Sequence, residues 1–412
     1  MQFKNIIGQA EVKHRLKGLV QKNRLSHALL FLGREGSGAL PLAIAFAQYV
    51  LCEKVNPKSK SEKVISLFGE EEVETLPVDI NDSCGVCASC NKATQLVHPD
   101  LHFSYPALKK DSKHDQVLST DYITEWREFI QQFPYNNVAD WINFLKESPK
   151  TKIETPINKQ GNITVHECDD ISHKLSLKAF ESPYKILIMW MPEFLGKEGN
   201  KLLKLIEEPP PDTLFILVAE DESAILPTIL SRTQLIKIPS LSNAEVEEAL
   251  IKEYDVTPEK SAQIAVISEG NFREALLLLK NVEEDWQAQV REWLNVTLKN
   301  NVNAQLKWID EISRIGREKQ KQFLKYFIHL LQQAIRVRYL NEEDLSSIGE
   351  DEKDFAFRLN KMCEIEGQEA IINELSKAIY YVERNAHAKM LFHALTIRLF
   401  HIIKDNSLIL VS

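Results

Sequence analysis

Much of what would mark a membrane, secreted or DNA-coating protein is missing from this sequence. No apolar run approaches the roughly 18 residues that a bilayer-spanning helix needs. The opening Met1-Gln2-Phe3-Lys4-Asn5-Ile6-Ile7 lacks the charged-then-apolar layout of a secretory signal, so the cytoplasm is the expected compartment and no membrane contact is expected. Basic residues are outnumbered, 50 Lys and Arg against 59 Asp and Glu, which leaves a net charge of -9. That balance argues against a protein that coats nucleic acid on its own. It leaves open a local basic surface or a nucleic-acid role inside an assembly. Cysteine is scarce, with six residues, yet four of them are Cys52, Cys84, Cys87 and Cys90. In a reducing compartment such a group points to metal ligands rather than disulfides. The C-x2-C-x2-C trio suits one tetrahedral ion, with Cys52 as the fourth thiolate. The other reading is free or oxidised thiols. Cys168 and Cys363 stand alone and are expected to be buried apolar thiols.

What is present is organised around Gly33-Arg34-Glu35-Gly36-Ser37-Gly38-Ala39-Leu40. An apolar run, Ala28 to Leu32, precedes it, and a helical pattern from Pro41 to Ala47 follows. Strand, glycine-rich turn and helix in that order are the setting of a phosphate-binding P-loop. Its backbone N–H groups curl around a phosphate, and the helix N-terminus adds partial positive charge. Gly33, Gly36 and Gly38 keep that cradle. The working pattern, however, is G-x4-G-K-[ST]. Here Ala39 holds the lysine position and Leu40 the hydroxyl position.

A P-loop ATPase also needs acidic residues to order metal and polarise water, at the end of the strand after the crossover. In this chain the run Lys185 to Met189 is followed by Trp190-Met191, apolar at both positions. A charged hydrogen bond to a ligand is worth about 1.5–3 kcal/mol. One loss would weaken binding; the four together remove magnesium positioning and water activation. No hydrolysis is expected at this site.

The remaining pattern is coarse but consistent. Val12, Leu16, Leu19 and Val20 recur at helical spacing, in a helix ending near Asn23. Residues 53–83 are polar, with Lys-rich then Glu-rich blocks, and are expected to form an inserted, mobile excursion. A strand is expected over Leu101 to Tyr105 and a short one over Ile163-Thr164-Val165. Between them, residues 109–160 form a second insertion, with a helical pair around Trp126, Phe129, Trp141 and Phe144 broken at Pro134. Lys185 to Trp190, Thr213 to Val218 and Gln234 to Ile238 complete a set of buried strands alternating with helices, the mark of a parallel α/β sheet. From residue 241 the chain becomes helical, opening on the capping box Ser242-x-x-Glu245. Stripes such as Phe323, Leu324, Phe327, Leu331 and Leu391, Leu395, Leu399 fit a bundle core or an oligomerisation surface. Finally, Leu226-Pro227-Thr228-Ile229-Leu230-Ser231-Arg232-Thr233 sets an arginine at a helix end before the last strand. It is either a surface arginine or an arginine finger for a nucleotide on a neighbouring subunit, a device that gives roughly 10³–10⁵ in rate.

Together these residues resemble the AAA+ clamp-loader family, in the form of its bacterial DNA polymerase III delta-prime subunits. The resemblance rests on Ile7-Gly8-Gln9, Ser26-His27-Ala28, the degenerate loop at 33–40, the cysteine group, His98-Pro99-Asp100 and the block from Lys185 to Pro239. Within that block Leu202-Leu203-Lys204-Leu205-Ile206-Glu207-Glu208-Pro209-Pro210 and Leu226 to Arg232 carry most of the specificity. The C-terminal part matches in helical character and in Asn385-Ala386-His387-Ala388-Lys389.

The resemblance implies an α/β plus all-α protein in three parts. Residues 1–240 would be a RecA-like AAA+ domain with a zinc module at 52–90 and insertions at 53–83 and 109–160. Residues 241–285 would be a helical lid, and 286–412 a helical collar for oligomerisation. It implies structural Zn2+ on Cys52, Cys84, Cys87 and Cys90. It places Ser231-Arg232 in the family's Ser-Arg-Cys motif, with Thr233 replacing the cysteine and Arg232 acting in trans on ATP held by a tau/gamma subunit. Arg273 falls at the lid arginine, sensor 2. The implied partners are tau/gamma and delta subunits, and through them the sliding clamp and primed DNA. The rival expectations are a divergent AAA+ ATPase using its own site and a stand-alone zinc-dependent DNA-binding protein.

Overall fold

The computed structural model describes residues 1–57, 61–66, 69–74, 81–109, 116–149, 161–280, 286–299, 301–339, 350–384 and 386–405. They divide into two compact units, Met1–Tyr254 with Ser268–Glu274, and Asp255–Ile267 with Ala275–Ser412. The elements in chain order begin with α1 (Ala10–Gln21), β1 (Ala28–Gly33) and α2 (Ala39–Leu51). Next come the antiparallel hairpin β2 (Ser61–Ser66) and β3 (Gly69–Glu74), then α3 (Ala88–Thr94) and β4 (Leu101–Ser104). α4 (Ile123–Gln132), α5 (Val138–Glu147) and α6 (Val165–Ser176) precede β5 (Lys185–Trp190), α7 (Asn200–Glu207) and β6 (Thr213–Ala219). α8 (Pro227–Leu230), β7 (Gln234–Ile238) and α9 (Asn243–Tyr254) follow. The later helices are α10 (Pro258–Ser268), α11 (Phe272–Lys280), α12 (Trp286–Leu298), α13 (Val302–Arg314), α14 (Arg317–Tyr339), α15 (Glu350–Met362), α16 (Ile365–Glu383) and α17 (Ala388–Asp405).

The first unit is built on a five-stranded sheet, order β4-β5-β6-β1-β7, in which every neighbouring pair is parallel. Every residue of β5 and of β6 is buried, as a parallel sheet covered on both faces requires. Alternate residues serve opposite faces. Leu29 and Phe31 of β1 join one apolar cluster with Phe46, Trp126 and Ile188, while Ala28 and Leu30 join another with Ile171, Met189 and Leu217. α2 is buried along all 13 residues, which suits its run of Ala, Leu, Ile and Phe.

The helical pair α4–α5 breaks at Pro134 and packs on this core. Trp126 stacks on Tyr105 with centroids 3.9 Å apart and meets Trp141 and Trp190 at 5.3 Å each. The strand expected at Ile163–Val165 does not form. The Thr164 hydroxyl accepts the Glu167 N–H at 3.3 Å and so caps α6 instead, leaving a single bridge between Asn162 and Ala107.

In the second unit the stripes are bundle core. Phe323, Leu324, Phe327, Leu331, Leu395 and Leu399 are each at most 2% exposed. Trp293 stacks on Trp308 at 4.9 Å and donates its indole N–H to Thr396 Oγ1 at 3.0 Å. Among the described residues no helix is long and apolar enough to cross a membrane.

Candidate functional site

The glycine loop leaves β1 and enters α2 with Gly36 at φ +71° and Gly38 at φ +86°, left-handed conformations that glycine alone adopts cheaply. The cradle is therefore built, and it is full. A Cβ on Gly36 would lie 2.0 Å from Asn271 Oδ1, and one on Gly38 would lie 2.9 Å from the Tyr135 ring. The Phe272 N–H donates to Gly36 O at 3.2 Å, and the Tyr135 hydroxyl accepts the Ile7 N–H at 2.9 Å. Gln9 donates to Ser37 O at 3.1 Å and to Pro239 O at 2.7 Å. The cleft between the loop, Tyr135, Trp190, Met191 and Glu220 retains about 20 Å³, room for about one water.

The buried arginine beside this cleft is already paired with carboxylates of the chain itself. Arg273, only 3% exposed, donates Nε and Nη2 to Asp140 at 2.5 and 2.8 Å and Nη1 to Glu35 at 3.1 Å. Burial, with the Glu35 and Glu193 carboxylates nearby, pushes Glu220 up to about 8. Glu193 accepts the Glu220 and Asp221 N–H groups at 2.6 and 3.0 Å, and burial raises its carboxyl as well. Tyr135, Asp140 and Glu35 were not expected at the site. Local signals existed for two of them: Glu35 is an acid inside a phosphate loop, and Asn137-x-x-Asp140 spells a capping box.

Arg232 lies at the other edge of the sheet. The β1–β7 register pairs Leu29 with Gln234 and Gly33 with Ile238. The glycine loop thus leaves the C-terminal edge of the strands, while Arg232 precedes β7 at the N-terminal edge. The five residues of β7 at about 3.3 Å each separate the two edges by roughly 16 Å. The Arg232 side chain is 34% exposed and paired with Glu207. Its Nη1 also donates to Thr228 O at 2.8 Å and Ser231 Oγ at 3.2 Å.

The sulfurs of Cys52, Cys84, Cys87 and Cys90 all lie within 4.8 Å of one another. Four thiolates around zinc, at about 2.3 Å from the ion, sit about 3.8 Å apart, so little adjustment is needed. Backbone N–H groups point at the sulfurs as thiolates require: Cys84 to Cys52 at 3.3 Å, Cys87 to Cys84 at 3.3 Å and Cys90 to Cys87 at 3.4 Å. A hydrogen bond from Cys90 holds Cys52 down to about 5, while Cys90 itself is pushed up by the same contact. The donor set fits a metal ion. His98-Pro99-Asp100 beside it is structural. Asp100 accepts the N–H groups of Phe180, Glu181 and Ser182 at 2.5, 2.8 and 2.8 Å, which fixes the turn into β5.

A parallel sheet with a glycine loop after β1, joined to a run of helices, is the arrangement of a P-loop-type α/β domain followed by an all-α part. The chain belongs to the DNA polymerase III, delta subunit family, whose pattern matches residues 8–242. The delta' subunit of DNA polymerase III from Bacillus subtilis (strain 168) is 27% identical over 275 residues, 67% of this chain and 60% of that protein. The Haemophilus influenzae delta' subunit is 29% identical over 268 residues, 65% of this chain and 58% of its own. The match thus spans about 60% of the length of these relatives. The tau subunit from Bacillus subtilis is 25% identical over 282 residues, 67% of this chain and 37% of tau. Among solved structures, the Bacillus subtilis DNA clamp loader delta protein aligns over 94% of this chain and 99% of its own, at 11% identity and a TM-score of 0.29.

Proposed function

We propose that this chain is a non-hydrolysing, delta-prime-type subunit of the DNA polymerase III clamp loader, and that it completes the ATP site of a neighbouring tau/gamma subunit through Arg232. One observation carries the reading. Arg232, one-third exposed, sits at the sheet edge opposite the chain's own filled loop. An arginine so placed lies away from the chain's own loop, which supports action on a nucleotide held by another chain. Its planar fork would exchange the Glu207 carboxylate for the transferring phosphoryl group and stabilise the charge that develops there.

Around that contribution the chain is scaffold. Residues 241–285 act as lid and 286–412 as collar, and the exposed Met390 and Ile397, seven residues apart on α17, support an assembly face there. The four cysteines hold a structural Zn2+ that cross-links the end of α2 to α3 and the turn before it. With tau/gamma and delta subunits the complex opens the sliding clamp and loads it on primed DNA in the cytoplasm. A cleft with space for about one water, with Tyr135 and Asn271 packed against its glycines, counts against an ATPase acting at the chain's own loop.

The deciding measurement is ATP turnover by a reconstituted complex. Arg232→Ala should lower it at least about 100-fold while the complex still assembles on a sizing column. Unchanged turnover in an assembled complex overturns the reading.

A further inference from the structure

Glycine-loop N–H donors and a nearby buried arginine are the two grips that a phosphate chain bridges. Here the arginine is engaged by residues of the same chain, and the same stretch covers the glycine loop at Gly38. The Arg273 fork takes Asp140 through Nε and Nη2 and Glu35 through Nη1, the two-pronged pairing a phosphate oxygen pair would otherwise receive. Asp140 is aimed by its own helix end. Asn137 Oδ1 accepts the Asp140 N–H at 3.0 Å, Asp140 Oδ2 accepts the Asn137 N–H at 3.3 Å, and Asn137 Nδ2 holds Glu35 at 2.8 Å. Tyr135 covers Gly38 and meets Phe272 edge-on at 5.0 Å. Asn271 closes the circle, donating to Glu35 at 3.2 Å while lying against Gly36.

We propose that the cleft is a polyphosphate-type anion site with a permanent internal occupant, residues 134–140, whose carboxylate locks 268–274 onto the glycine loop as a bound phosphate chain otherwise would. This deepens the non-hydrolysing reading above and rests on it. The locked segment needs no nucleotide to hold its place, because Asp140 supplies the negative charge and Tyr135 the bulk.

The test uses hydrogen exchange on the full-length chain, with residues 84–90 and β6 as internal references for an intact fold. Asp140→Asn keeps the shape and removes the charge. Exchange at 268–274 should rise about 10- to 100-fold, the equivalent of one charged hydrogen bond, while the references stay unchanged. Asp140→Glu should restore most of the protection. In a Glu35→Gln/Asp140→Asn chain, millimolar inorganic tripolyphosphate should return protection to 34–38 and 268–274, and it should leave the unaltered chain unaffected. Unchanged exchange at 268–274 in Asp140→Asn overturns the proposal, as does a failure of tripolyphosphate to protect the double variant. Because no partner subunit is involved, these outcomes are independent of whether Arg232→Ala affects ATP turnover.

Discussion

The two ends of one parallel sheet have diverged. At the C-terminal end the glycine loop is intact in backbone but filled by Tyr135 and Asn271 and ringed by Glu35, Asp140, Glu193 and Glu220. At the N-terminal end Arg232 stays one-third exposed, paired with Glu207. The thiol cluster also belongs to that end. α2 starts at the loop and runs back antiparallel to β1 for 13 residues, about 20 Å, before delivering Cys52. The difference teaches how a glycine loop can be closed over by side chains of its own chain. Interiors are close-packed, and a buried arginine without a counter-charge is costly. Here side chains, Tyr135 and Asn271 for bulk and Asp140 and Glu35 for charge, supply both.

Each end can be attacked separately, and the largest effect is expected at the thiol cluster. The purified chain should carry about one equivalent of zinc, lost in Cys87→Ser together with several kcal/mol of stability, since binding energy at a structural site is folding energy. Metal analysis and thermal unfolding report on this. A native chain that purifies metal-free with an unchanged midpoint would refute the assignment. The glycine loop should come next. Gly36→Ala forces a left-handed alanine and sets its Cβ 2.0 Å from Asn271 Oδ1 and 2.7 Å from the Phe272 nitrogen. A cost of about 2–4 kcal/mol in denaturant titration is expected. A cost near zero would mean that the cleft is looser than its contacts indicate.

Local pattern made the N-terminal end legible and the C-terminal end only half so. β5 and β6 announce themselves as continuous apolar runs, and the cysteine trio as a ligand spacing. Both signals need only neighbours in sequence. The misplaced strand at Ile163–Val165 shows a local conflict, in which Thr164 and Glu167 form a helix start that outweighs two β-branched residues. The filling of the cleft is non-local. Arg273 and Glu35 are 238 positions apart, and Arg273 and Asp140 are 133 apart. No periodicity links them. The missing lysine sets the expectation of a loop without its chemistry, but says nothing of the side chains packed around it.

A smaller effect should separate the cleft by pH. The folded chain raises Glu220 from 4.5 to about 8, so it holds a proton that the unfolded chain releases. The stability from that protonated form is complete below the unfolded value and is lost as pH rises through about 8. Glu220→Gln keeps the neutral shape at every pH. Its thermal midpoint should match the parent at about pH 5 and exceed it at about pH 9. A constant difference across that range would mean that Glu220 ionises as in water.

The smallest expected effect provides the contrast to Gly36. Gly18 sits inside α1 with nothing within 4 Å of an added Cβ and with no left-handed φ. There glycine only weakens the helix by leaving the unfolded backbone more freedom to lose. Gly18→Ala should therefore stabilise the chain by about 0.5–1 kcal/mol, opposite in sign to Gly36→Ala, in the same denaturant titration. If both substitutions destabilise, an added Cβ at Gly18 is not free, and α1 is packed more closely there within the chain than its contacts indicate.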